Sequence, residues 1–328
     1  MFKDSQGILE NPFSNKIAMT NLLKRYGTLF GLLILCIYFA FTTGSFLTFN
    51  NVINILTQIT MIAICSIGMS YAILSGNIDL SVGSVVSLVS IMGSMAMVAT
   101  GSTLIGILTC LVVGGIFGLF NGFLIAYIGV PAFVCTLASS SIATGLTFMM
   151  CKGLPIYEGI TKGFIWLGQG YIGPIPVPPI ILIILFVIGY IHLTQTRSGR
   201  YLIAVGGNCE ASRLAGINTK RIIMLAFSVS GLAAACSGII LTARLGTGQP
   251  IGGGTYTLDA IASSFLGQTV FRPGEVNLPG TFVGALIIGI LNNGLTLLNI
   301  PYYFQDLFKG FLIILAVAIN SYYLTRKD

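Results

Sequence analysis

"TLIGILTCLVVGGIFGLFNGFLIAY", residues 103–127, carries no charged side chain. It exceeds the roughly 20 residues that an α-helix needs to cross the hydrocarbon core of a bilayer. Its glycines would weaken a helix in water, but in lipid every backbone N–H must bond within its own segment, and a helix does this. Comparable apolar stretches flank it at 80–100 and 132–151, and others fall at 26–43, 52–74, 178–195, 221–243, 257–270, 280–299 and 305–324. We read an all-α polytopic membrane protein with about ten transmembrane helices. The stretch at 257–270 is short for a crossing and is expected to be broken or re-entrant.

Composition supports that reading. Of 328 residues, 55% are hydrophobic and only 8% charged, with a mean hydropathy of +0.94. A soluble domain carries about 25% charged residues. The net charge of +7 does not point to nucleic acid, because the basic residues sit at the ends of apolar runs rather than in a patch. Of the 16 Lys and Arg residues, only Lys152, Lys162, Arg244 and Lys309 fall on the outer side if the N-terminus is cytoplasmic. That bias places both termini in the cytoplasm. The chain then divides into a cytoplasmic segment 1–25, a transmembrane domain 26–324 and a cytoplasmic loop at about 196–220. Lys24 and Arg25 precede the first apolar run without a small-residue cleavage site, so this run is read as a retained span. On the outer face, 152–177 is rich in Gly and Pro and is expected to be irregular. The seven cysteines are scattered, with no CxxC spacing, and indicate neither a zinc site nor a disulfide framework.

An internal echo accompanies the spans. "GLFNGFLIAYIGVP" (118–131) resembles "GILNNGLTLLNIP" (289–301), matching Gly118 to Gly289, Asn121 to Asn292 and Leu124 to Leu295. The two lie five spans apart, and an odd offset reverses direction across the membrane. This is the signature of an inverted five-helix repeat, set against chance likeness between glycine-rich helices.

Few polar residues interrupt the apolar runs. Asp79, in "SGNIDLSVGS" (75–84), is read as the N-cap of the next helix or as a functional intramembrane acid, and Asp259 has the same two readings. Asn121, Gln249, Asn292 and Asn293 are either interhelical hydrogen-bonding groups or the lining of a translocation path, and Gln268 is a further amide of this kind. Asp306 and Lys309 are spaced to pair on one helix face. His192, the one histidine, suits the end of a helix. No catalytic set, metal cluster or resident cofactor is indicated. A phosphate-binding loop needs Gly-Lys before Ser or Thr, and the chain has no Gly-Lys dipeptide. A concentrating transporter of this kind draws on an ion gradient or on a separate ATPase.

One segment is polar for no apolar reason: "GGNCEASRLAGIN" (206–218). Asn208 can cap a short helix, Glu210 suits its N-terminal turn, Arg213 pairs with Glu210 at i, i+3, and Gly216 can close it. Ala211, Leu214 and Ala215 form a small apolar face. So short a helix is not stable alone and is expected to dock on another protein, set against an ordinary cytosolic turn.

These residues resemble a family, the permease subunits of bacterial ABC sugar importers of the ribose, xylose and galactoside type. The resemblance covers about residues 30–320. It is carried by "SGNIDLSVGS" (75–84), "GLFNGFLIA" (118–126), "SGRYLIAVGGNCEASRLAGIN" (198–218), "TARLGTGQP" (242–250) and "GILNNGLTLL" (289–298). It implies that Asn208, Glu210, Ala211, Arg213, Leu214 and Gly216 form a coupling helix contacting a cytosolic ATPase, which uses ATP and Mg. It further implies a second permease copy, an extracytoplasmic sugar-binding protein, and a place in the bacterial cytoplasmic (inner) membrane. The chain departs from the family's usual pattern at "GQTVFRPGEVNLPG" (267–280), with Gln268 and an Arg272–Glu275 pair. The alternative reading is an ion-coupled secondary transporter, in which Asp79 or Asp259 would titrate.

Overall fold

The computed structural model describes residues 12–271, 274–301, 303–311 and 314. Among them, seven helices are long and apolar enough to cross a membrane. These are α2 (Phe49–Leu74), α3 (Val82–Thr100), α4 (Thr103–Phe123, continued by a π-turn at Leu124–Ile128), α5 (Ala132–Cys151), α7 (Val177–Gln195), α10 (Thr219–Leu245) and α12 (Leu278–Leu297). The N-terminal helix α1 (Pro12–Thr42) contributes a shorter apolar stretch, Gly27–Thr42. Of the expected segment 305–324 the described part is helical. Its remainder, with Lys3, Arg272, Arg326 and Lys327, lies outside the described residues, as does most of the first half of segment 1–25.

The helix boundaries follow local chemistry. Gly101 adopts φ 67°, closed to most side chains, and its N–H bonds Met97 O, ending α3. One residue on, the Ser102 hydroxyl accepts the Ile105 N–H and opens α4. Asn277 caps α12 in the same way, accepting from Gly280 N–H at 2.7 Å.

α2 and α10 form the middle of the bundle. Glycines set the closest approach: a Cβ on Gly114 of α4 would stand 2.4 Å from the Gly231 carbonyl of α10, and one on Gly118 would stand 2.5 Å from the Phe227 carbonyl. Small residues serve this purpose in lipid, where burying apolar surface gives helices no reason to associate. The neighbour relations repeat. α4 packs on α10 and α3, α12 packs on α2 and α11 (Tyr256–Gly267), and α10 lies on α3 as α2 lies on α11.

Two connections enter the bundle rather than running across its surface. After α2 the chain turns at Gly76 (φ 80°) and folds back, so that Asp79 meets Ser230 midway along α10. After α10 it turns at Gly246 (φ 65°) and descends beside α3. There Gln249 N–H reaches Ser90 Oγ at 2.9 Å and Gly253 N–H reaches Ser87 Oγ at 3.0 Å. The starts of α3 and α11 then meet, Gly83 N–H donating to Thr257 Oγ1 at 2.9 Å, and a Cβ on Gly253 would lie 2.1 Å from the Gly83 carbonyl. α11, with 12 residues, rises only about 18 Å. Non-helical backbone at such depth is tolerated because it is enclosed by protein and bonded to serine hydroxyls.

Both large loops hold more structure than expected. In 152–177, helix α6 (Lys162–Gln169) buries Phe164, and a short hairpin pairs β1 (Tyr171–Ile172) with β2 (Ile175–Pro176). Gly168 is held against the backbone of Ala243 and Arg244, so docking on the end of α10 stabilises this short helix. The loop 196–220 is two helices, α8 (Arg197–Gly207) and α9 (Cys209–Leu214).

Candidate functional site

The expected docking element is built from α8 upward. Thr196 caps α8, its Oγ1 accepting the Gly199 N–H at 3.1 Å, and Leu202 and Val205, one turn apart, turn inward while Tyr201 and Ile203 stay outside. Gly199 fits against the His192 and Leu193 backbone of α7, and a Cβ on Gly206 would come within 2.0 Å of the Leu74 carbonyl. α8 is thereby strapped across the end of the bundle where α2 and α7 finish and α10 begins. His192 reinforces this junction: Nδ1 lies 3.0 Å from the Tyr71 hydroxyl and Nε2 lies 2.8 Å from Ser198 Oγ.

α9 projects from this strap. Asn208 Oδ1 accepts the Ala211 N–H at 2.9 Å, Arg213 pairs with Glu210 at 2.6 Å, and the turn closes through Gly216 (φ 84°), whose N–H donates to Arg213 O. Only Ser212 of α9 is buried; Ala211, Ala215 and Gly216 are exposed and Leu214 is 80% exposed. α9 is thus a short helix kept in shape by its own cap and ion pair, with its largest apolar side chain in the open.

Inside the bundle, structure separates the polar residues. Asp79 is 1% exposed, and three donors surround its carboxylate: Ser81 N–H (2.9 Å) and Ser81 Oγ (2.6 Å) on Oδ1, and Ser230 Oγ (2.7 Å) on Oδ2. The N-cap position of α3 belongs to Ser81, so Asp79 braces the turn before the helix and ties it to α10 rather than capping it directly. Asn121 joins the same network, donating to Ser81 Oγ at 3.0 Å and accepting from Ser139 Oγ. Asn293 and Asn51 exchange two amide hydrogen bonds of 3.0 Å, joining α12 to α2. Asn292 is half-buried with an Oδ1 that has no hydrogen-bond partner, and Gln249 bonds Thr247 at 2.8 Å within its own loop. The network therefore does not gather these four amides around one cavity.

Asp259 has a role that neither sequence reading offered. Its Oδ1 lies 3.0 Å from Lys309 Nζ, both side chains being almost fully buried, while Asp306, the expected partner of Lys309, stands at 3.9 Å and is exposed. Thr255, not Asp259, holds the N-cap position of α11, and a cation distant in sequence neutralises the acid. In the unusual segment, Gln268 is buried and Gly274 N–H closes a turn onto its carbonyl; Arg272 lies outside the described residues.

Asp79→Asn is expected to destabilise the domain by about 1–3 kcal/mol, because an amide offers one acceptor oxygen where the carboxylate served two hydroxyls and an N–H. The measurement is the thermal midpoint in detergent, with transport per folded molecule unchanged. A variant with the parent midpoint and no transport would assign Asp79 to the transport step instead.

The structure also shows residues that sequence reasoning passed over. α2 is buried from Ile59 through Ala72, but one face of its first third is open, and Asn50, Asn54 and Gln58 follow one another at i, i+4 and i+8 along it. Arg244 Nη2 reaches Asn54 Oδ1 at 3.5 Å. The signal was present as three amides at helical spacing at the start of an otherwise apolar span.

Comparison with known proteins agrees with this architecture. A family model described as "Branched-chain amino acid transport system / permease component" matches residues 51–317. The ribose import permease protein RbsC of Escherichia coli (strain K12) is 38% identical over 302 residues, covering 91% of this chain and 94% of that protein. RbsC of Bacillus subtilis (strain 168) is 37% identical, with 93% and 95% covered. The D-allose transport system permease protein AlsC of Escherichia coli (strain K12) is 35% identical, with 90% and 91% covered. No solved structure matches the chain. With a multi-pass helical bundle, enclosed polar connections and a family match across most of its length, the chain belongs to this family of transport-system permease components.

Proposed function

We propose that the chain is the membrane-spanning permease subunit of an ATP-binding cassette importer for a sugar of the ribose, allose or xylose class. It lies in the bacterial inner membrane as about ten spans with both termini cytoplasmic and an inverted five-helix arrangement. The observation that carries this reading is α9. It is an exposed, self-capped knob set on α8, which is clamped to α2, α7 and α10 at one end of the bundle. A cytosolic ATPase gripping Asn208, Glu210, Ala211, Arg213, Leu214 and Gly216 would pull on three helices at once. The names of the relatives supply the solute class. The permease itself performs no chemistry and holds no cofactor; ATP and Mg belong to its partner. Two permease copies, the ATPase and an extracytoplasmic binding protein complete the assembly.

The test is uptake of labelled D-ribose by vesicles containing the chain, its ATPase and its binding protein. Uptake that requires ATP hydrolysis and persists with an ionophore is the expected result. Uptake that the ionophore abolishes while ATP is present would replace the proposal with an ion-coupled transporter.

A further inference from the structure

The end of the bundle opposite α8 and α9 carries a second polar feature, and its meaning rests on the importer reading above. Asn50, Asn54 and Gln58 form one line down the first third of α2, the first two exposed and the third half-buried. Arg244, near the last residue of α10, stands beside Asn54. Among the described residues Arg244 forms no ion pair. Below them Tyr256, half-buried at the first turn of α11, points its hydroxyl at Met61, and Tyr256 also marks where the descending segment 246–255 meets the starts of α3 and α11.

A guanidinium and a ladder of primary amides do not belong against lipid tails. Amides without partners in hydrocarbon cost several kcal/mol each, about 4–8 on transfer to a solvent that cannot hydrogen-bond. These groups face water or a polar ligand instead. Amides offer a donor and an acceptor side by side, and an unpaired arginine offers a fork of donors. A polyhydroxylated solute, whose every hydroxyl both gives and takes a hydrogen bond, matches that set. Inorganic cations match it poorly, because the line contains no carboxylate.

We infer that Asn54, Gln58 and Arg244 line the outer part of the sugar path, receiving the solute from the binding protein and leading it along α2 toward the α3–α11 junction. Asn54 and Arg244 meet each other at 3.5 Å across α2 and α10, apart from the separate contacts that engage Asn121 and Asn293. Asn50 marks the mouth.

Two experiments in the assembled complex in vesicles test this. First, Gln58→Cys and Asn54→Cys are exposed from outside to a membrane-impermeant thiol reagent, with the unsubstituted chain as control for its own cysteines. Labelling at both positions that blocks D-ribose uptake is expected. Unreactive thiols, covered by lipid or by a second permease copy, would overturn the inference, and so would labelling that leaves uptake intact. Second, Asn54→Leu and Arg244→Met are each expected to cut uptake about tenfold, the loss of one hydrogen bond to a charged or well-placed group, while ATP hydrolysis stimulated by the binding protein persists. Unchanged uptake in both would overturn it. The first experiment reports water access even if the unsubstituted complex proves to be driven by an ion gradient, so a failed importer reading and a failed path assignment give different results.

Discussion

Leu214→Asp should yield a permease that is folded, monodisperse in detergent and unable to hold its ATPase. Leu214 is 80% exposed in the isolated chain and contributes nothing to the core, so its loss leaves the thermal midpoint where it was. In the proposed complex with the ATPase it would be the apolar anchor of a six-residue helix, and truncating a central anchor costs at least about 2 kcal/mol, a factor of about 30 in affinity. A buried aspartate adds its own desolvation penalty. Glu210→Lys should act in the same direction by another route. It replaces the Glu210–Arg213 pair, held at 2.6 Å, with two like charges and sets a cation on the N-terminal turn, which both loosens the helix and reverses the sign it presents. Co-purification of the ATPase with each variant, followed by ATP-driven uptake, is the measurement. If both variants retain the ATPase at parental levels, α9 is not the grip.

The features legible in the sequence are those that depend on local pattern. Apolar length marked 132–151 at the residues where α5 begins and ends, and it placed α2, α3, α4, α7, α10 and α12 within a few residues of their observed bounds. The capped helix around Asn208 was legible because cap, ion pair and closing glycine all lie within nine residues of one another. What was hidden depends on depth and distance. Nothing in "SGNIDLSVGS" says that the chain folds back to Ser230 rather than turning at the membrane surface, because the hydroxyl that receives Asp79 sits 151 residues away. Helix α8 was missed for a different reason. Its buried face is only Gly199, Leu202 and Val205, too little apolar surface to stand out beside full spans. The α2 amides were hidden by their own helix: a span scored as apolar overall conceals which of its polar residues look outward.

The largest stability effect should come from Asp259 and Lys309, and the way it is relieved should identify what the pair is for. Their side chains are 2% and 8% exposed and meet at 3.0 Å. Lys309→Met strips the carboxylate of its buried counter-ion, and breaking such a pair costs about 3–5 kcal/mol. Asp259→Leu should be as damaging, by stranding the ammonium. Where Asp259 is lost instead, Asp306, 3.9 Å from the ammonium and 56% exposed, does not replace it, since pairs of that exposure contribute about 0–1 kcal/mol. The double variant should recover most of the loss, because two apolar side chains remove both desolvation costs together. Expression yield and thermal midpoint in detergent form a double-mutant cycle with a coupling term far outside the few tenths of a kcal/mol seen for independent sites. Additive losses would mean that the two residues do not depend on one another. Transport by the double variant then settles a further point. An importer powered through α9 has no need of a titrating carboxylate, so the refolded double variant should still carry sugar. A transporter driven by an ion gradient through Asp259 would be stable and silent.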